Sequence, residues 1–356
     1  MTTLPEILKT KISTSGPINI EDYMSTCLYH EEHGYYMTQT PFGREGDFTT
    51  APEISQIYGE MIGAWVADTW IKMGKPQAWQ LLEAGPGRGT LMKDMLRTLK
   101  HALPECYESA TITLLEISPM LKILQRDMLI DHHIRWVNTI DEADFSLPTI
   151  FIANELLDAF PVRQFIKNDT GTYNERLITT NEEGFTFTTS NEVKTDISYD
   201  TDIVETSEAM ESFLCKLKDK LTNGAALFID YGDHGTGDSL QALQSHKEIN
   251  VLENPGKSDI TAHVNFDNVR RVLGMERTSQ MEPMAQFLSS IGLPLRAAAL
   301  LEKATDAQKV EIESAAYRLM HPEQMGELFK VIAYRTDENI DLAGLYFENK
   351  QESHAA

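Results

Sequence analysis

Residues 79–95 read WQLLEAGPGRGTLMKDM: a short apolar run, a turn with glycine at every second position, and then apolar residues recurring at helical spacing. This order predicts a strand, a tight turn and a helix, which is how a doubly wound α/β fold begins. The pattern repeats. ATITLLEIS (110–118) precedes a helical PMLKILQRDML, and IRWVNTI (134–140) leads through an acidic loop to PTIFIANELL (148–157). Two more buried-strand patterns, GAALFIDYG (224–232) and LFKVIAYR (328–335), come after long gaps. Strands alternating with helices imply a mostly parallel sheet with helices on both faces.

The gaps predict insertions into that core. Residues 76–166 and 222–336 form the core, residues 167–215 read as an acidic antiparallel β-meander, and 233–321 as a mostly helical lid. Residues 1–75 read as a helical cap segment around an aromatic loop, and 337–356 as a polar tail.

The glycine turn sits where such folds bind a nucleotide, since glycine lets the backbone approach a ligand and the helix N-terminus offers free N–H groups. A dinucleotide fingerprint needs glycine at position 90, and this chain has Thr90. It has instead Glu83, Gly85, Gly87 and Gly89. A carboxylate at the strand tip repels a pyrophosphate but suits the cationic amino group of S-adenosylmethionine. Glu116, at the end of the second strand, can accept both ribose hydroxyls. Two plainer readings stand beside this one: the glycines can serve helix–strand packing, and Glu116 can cap the helix opened by Ser118-Pro119. Neither accounts for Glu83, whose charge among Leu81, Leu82 and Ala84 is costly without a cationic partner.

Asn154, Glu155 and Asp158 leave the next strand together, at the edge where open α/β sheets bind ligands. If a methyl acceptor were a guanidine, carboxylates would have to hold its charge while one nitrogen attacks, and Glu155 and Asp158 are the pair placed to do it. The other reading is that they cap the following turn.

Composition narrows the field. The formal charge of −23 disfavours nucleic acid and suits a cationic substrate. Cys27, Cys106 and Cys215 are far apart with no CxxC pair, which argues against a disulfide framework or zinc site, so no metal is expected. No apolar run approaches a membrane span, and the first twenty residues show neither a signal core nor an Arg-rich leader, so cytoplasm is the default.

GPINIEDYM, HGYY, FGREGDFTTAPEISQIYGE, LLEAGPGRGTLMKDMLR, ANELLDAFPVRQF, ALFIDYG, SDITAHVNF and MGELFKVIAYR together resemble the MidA-type proteins, a family whose mitochondrial member is an assembly factor of respiratory complex I. The resemblance covers residues 16–335. It implies a class I methyltransferase fold and S-adenosylmethionine as cofactor, with Glu83, Gly85, Gly87, Gly89, Glu116 and Ser118 beside it. It further implies that Asp47 and Thr49 line the same pocket, although that loop can equally close on itself, and that Asn154, Glu155 and Asp158 stand at the reaction centre. The activity it implies is methylation of an exposed arginine on a protein, such as a complex I subunit, in the cytoplasm of a bacterium or the mitochondrial matrix of a eukaryote. A homodimer is compatible with it. A non-catalytic assembly chaperone of the same fold and a small-molecule methyltransferase are the alternatives, and a nicotinamide dehydrogenase is disfavoured by Thr90 and Glu83. Four positions depart from the family: Ala51 replaces serine, Leu156-Leu157 an aromatic pair, and Asn265 an aspartate, which leaves His263 a structural or substrate-positioning residue.

Overall fold

A computed structural model describes residues 2–39, 50–194, 201–235 and 237–348. Its centre is a sheet of six principal strands: β1 (Trp79–Ala84), β2 (Ala110–Leu115), β3 (Ile134–Val137), β4 (Thr149–Asn154), β5 (Gly224–Asp233) and β6 (Phe329–Arg335). They lie in the order β6-β5-β4-β1-β2-β3, all parallel except β6, which runs antiparallel to β5. This is the mostly parallel sheet that the resemblance to class I methyltransferases implies.

Continuous apolar runs are what such a sheet needs, because both faces are covered. Leu81, Ile150, Ile152, Leu227, Ile229 and Val331 face one side. There they meet helices α1 (Gln56–Lys72) and α2 (Thr90–Ala102), whose Leu91, Met95 and Leu99 recur at helical spacing. Leu82, Phe151, Ala153, Phe228 and Ile332 face the other, with Leu214 and Leu217 of α4 (Glu208–Lys220) and Val269 and Leu273 of α5 (Phe266–Leu273). Between β2 and β3 runs α3 (Pro119–Met128), with Ser118 at its N-cap and proline at N1.

Strand order reverses between β1 and β4, so a crevice opens beyond their C-terminal ends. The register sets Glu83 level with Leu114 on one side and Ile152 on the other, and Asn154 level with Ile229. The polar residues that follow each strand therefore reach one edge together.

The roof over that edge is composite. Strands Arg163–Lys167, Tyr173–Asn181, Gly184–Lys194 and Ile203–Thr206 form an antiparallel sheet, joined by Ile18–Asn19 from the N-terminal segment. Leu8, Ile20, Met24 and Leu28 of the N-terminal helices share a core with Val162, Ile178, Ala242 and Ile260. The N-terminal segment and both insertions are thus bound by one hydrophobic cluster.

Three sequence expectations need correction. Residues 233–321 do not begin as a helical lid: Gln241–Gln244, Lys247–Ile249 and Asp259–Thr261 form a small antiparallel sheet before the helices start. The hairpin turns on Ser245 and His246, both with positive φ. Such a turn normally announces itself by Asn or Gly, and here it does not. Residues 208–215 belong to α4 and not to the meander. Finally, 337–348 is no polar tail, because Ile340, Leu342 and Leu345 are buried in the main core and the Trp65 indole donates to the Ala343 carbonyl at 3.1 Å. Its single apolar residues lack a period to reveal them.

Candidate functional site

A cavity of about 840 Å³ occupies the crevice, and most of the residues singled out from the sequence border it or stand just behind its wall. Gly85 and Gly87 line it, with φ of 66° and 52°. Gly89, at φ 87°, opens α2. These left-handed values exclude most side chains and hold the turn's backbone against the cavity. The turn is latched from outside. Glu53 accepts hydrogen bonds from Thr90 Oγ1 and, at 3.3 Å, from Arg88.

Glu83, on β1 two residues before Gly85, does not itself line the cavity; it is 2% exposed, and its Oε2 has no hydrogen-bond partner. Burial raises its carboxyl to about 8, and the neighbouring Glu116 charge adds to this. Glu116 itself lines the cavity. Its Oε1 accepts the Ser118 N–H at 2.8 Å and its Oε2 the Gln125 amide at 3.0 Å, so both oxygens are fixed in direction. Burial raises its pKa too, against these donors.

Ser118 does not reach the cavity. It is fully buried, its Oγ caps α3 at the Leu121 N–H, and it bears on the site through its N–H on Glu116. Gln125 is a residue that the sequence reading missed. It is fully buried, donates to both the Gly87 carbonyl (2.7 Å) and Glu116, and accepts the Trp136 indole N–H at 2.9 Å. A glutamine on the buried stripe of an amphipathic helix, one turn after Leu121, was the available signal.

On the β4 side, Glu155 and Asp158 line the cavity, whereas Asn154 does not. Asn154 accepts the Tyr58 hydroxyl and donates to Glu155 Oε1 at 3.0 Å. Its amide thus ties Tyr58 to Glu155. Glu155 has φ 53°, a strained value for a non-glycine residue, and also accepts the Ala51 N–H at 3.0 Å. The turn is kept in this shape by Asp230 at the end of β5, whose Oδ2 accepts the N–H groups of Leu156, Leu157 and Asp158. Burial lifts Glu155 to about 8 and Asp158 to about 6, the Tyr231 hydroxyl opposing the second shift by donating to Asp158 Oδ2 at 2.5 Å. Asp158 Oδ1 has no partner. Asp230 and Tyr231 interrupt the apolar run of β5 as Glu83 interrupts that of β1, and the same rule would have found them.

The expectation for Asp47 and Thr49 lies outside the described residues. His263 is an exposed rim residue, edge-on to the Tyr231 ring with centroids 5.6 Å apart, and partial burial lowers its pKa. No group of three or more His, Cys, Asp or Glu among the described residues could hold a metal ion. Nor is any single helix among them long and apolar enough to cross a membrane.

Residues 61–283 match the model of a family described as "Putative S-adenosyl-L-methionine-dependent methyltransferase". The chain belongs to that family. It is an S-adenosylmethionine-dependent methyltransferase by descent as well as by fold. It is similar to the mitochondrial protein arginine methyltransferase NDUFAF7 of Xenopus laevis, at 34% identity over 90% of this chain and 81% of that one. The Homo sapiens protein of the same name is 31% identical over 96% and 85%. A crystal structure of a Burkholderia thailandensis protein bound to S-adenosyl-homocysteine superposes with a TM-score of 0.84 at 28% identity, covering 95% of this chain and 92% of that one. The methyltransferase's cofactor fits the arrangement above: an unpartnered buried carboxylate oxygen on Glu83 for a cation, an oriented carboxylate on Glu116, and a glycine turn open to close approach.

Proposed function

We propose that this methyltransferase methylates a guanidine nitrogen of arginine in a protein partner. The observation that carries the reading is Asp158: a buried carboxylate lining the cavity, with one oxygen oriented by Tyr231 and the other without a partner, next to Glu155 on the same strained turn. Two carboxyls raised by burial call for a cation, and the chain's −23 charge draws one in. The similarity to proteins named arginine methyltransferases supports the same acceptor.

Glu83, the turn of Gly85, Gly87 and Gly89, and Glu116 would hold the cofactor by its amino group, its backbone-facing edge and its ribose. Bound S-adenosylmethionine supplies an electrophilic methyl group on a positive sulfur. Glu155 and Asp158 ionise as the guanidinium enters, hold its charge on two nitrogens, and leave the third free to attack in line. The extra proton of the methylated nitrogen then passes to the Glu155 carboxylate, which leaves the methylated guanidinium with a single positive charge.

The family resemblance points to a respiratory complex I subunit as partner. The mitochondrial names of the relatives support a mitochondrial site in a eukaryotic cell, and cytoplasm is the corresponding site in a bacterium. The test is mass spectrometry of proteins from cells with and without the gene, alongside Glu155→Gln and Asp158→Asn. A lost arginine methyl mark, and variants that bind S-adenosyl-homocysteine but turn over about a hundredfold slower or worse, are expected. A lost mark on lysine, on a carboxylate or on a small metabolite would refute the guanidine acceptor, and parental turnover in both variants would refute the clamp.

A further inference from the structure

The cavity holds another buried carboxylate that comes from the small sheet in the 233–321 insertion. Asp259, 4% exposed, lines the same space as Asp158 and Glu155, and its Oδ1 accepts the Tyr36 hydroxyl at 2.7 Å. The two aspartates are built alike. Tyr231 donates to Asp158 as Tyr36 does to Asp259, and the segments carrying them are stitched by the Ala262 N–H on the Asp158 carbonyl at 3.1 Å. Both tyrosine hydroxyls feel both charges: after burial, Asp259 and then Asp158 raise the Tyr36 pKa, and Asp158, Asp230 and then Asp259 raise that of Tyr231. The two aspartates therefore line one cavity from segments that are held to each other by that backbone hydrogen bond.

Glu155 is differently engaged, since its Oε1 already accepts both the Ala51 N–H and the Asn154 amide. A planar guanidinium offers donors along more than one edge, so it is best gripped by carboxylates that approach from different directions. Asp158 and Asp259 come from different segments and meet that need. Resting on the arginine reading above, we infer that Asp259 is a substrate-gripping residue, which with Asp158 selects a cationic guanidinium over neutral side chains of the same shape.

The experiment uses the full chain loaded with S-adenosyl-homocysteine and titrates it with acetyl-arginine methylamide and with acetyl-citrulline methylamide, a neutral analogue of nearly equal shape. The parent is expected to favour the arginine compound at least tenfold, the effect of losing one charge-assisted contact. Asp259→Asn should abolish most of that preference while S-adenosyl-homocysteine affinity changes less than twofold, which also reports that the variant is folded. Asp259→Glu, keeping the charge, should recover part of the preference. If Asp259→Asn discriminates as the parent does, or if Asn and Glu lose the arginine compound equally, Asp259 does not select by charge and the inference fails alone. If the parent shows no preference, the arginine reading fails with it.

Discussion

Replacing Glu83 with glutamine separates what the buried carboxylate costs the empty protein from what it gives the bound one. The folded carboxyl titrates at about 8 and the unfolded one at its ordinary 4.5. Below 4.5 both states carry the proton, and the contribution to stability is complete. Between 4.5 and 8 the folded protein keeps a proton that the unfolded chain has lost, so stability falls as pH rises, by about 1.4 kcal/mol per pH unit for this group. Above 8 the loss is complete, with a ceiling of roughly 5 kcal/mol. Glutamine binds no proton in either state. The difference in unfolding free energy between Glu83→Gln and parent, followed by urea denaturation without cofactor from pH 5 to 8.5, should therefore rise in favour of the variant by several kcal/mol, while slopes from Glu155 and Asp158 cancel. Binding inverts the ranking. At pH 7 about nine-tenths of the parental Glu83 is protonated and must ionise to meet the cofactor's ammonium, so calorimetry in two buffers should show close to one proton released per S-adenosyl-homocysteine bound. The variant should release none from this site and bind at least tenfold more weakly. Parallel stability curves, or parental binding without proton release, would show that Glu83 is neither strained by burial nor the cation's partner.

Gly87→Val should abolish S-adenosyl-homocysteine binding in the same calorimeter while the protein stays folded, because a branched residue at φ 52° costs a few kcal/mol and its side chain would fill the cavity wall. Gln125→Leu leaves the Gly87 carbonyl, Glu116 Oε2 and the Trp136 indole without their partner, so cofactor affinity should drop about tenfold and unfolding free energy by about 1 to 3 kcal/mol; unchanged affinity would show that Gln125 does not orient Glu116.

What the sequence made legible was everything governed by local rules. Strands of the central sheet are continuous apolar runs because both faces are covered, and Glu83, Glu116 and Glu155 stand out because each interrupts or ends such a run. Ser118 was legible as a cap from the Ser-Pro pair. The tyrosine–aspartate pairs of the cavity obey no local rule. Tyr36 meets Asp259 across 223 positions of chain, and Tyr231 meets Asp158 across 73, so neither pair leaves a spacing to read. The Ser245–His246 hairpin was hidden for another reason, since its residues adopt a turn that their identities do not favour.

The two walls of the cavity also differ in when they can come into being. The cofactor wall runs from Glu83 through the glycine turn to Glu116 and Gln125, within neighbouring strand–helix units. The opposite wall needs Tyr29 and Tyr36, Asp158 more than a hundred positions on, and Tyr231 and Asp259 well beyond. Contacts of such long sequence separation form late, and on a ribosome they must await synthesis of the residues concerned. A nascent chain passes through a stage in which the glycine-turn wall has its residues and the opposite wall does not, so the cavity is completed only after residue 329 has emerged.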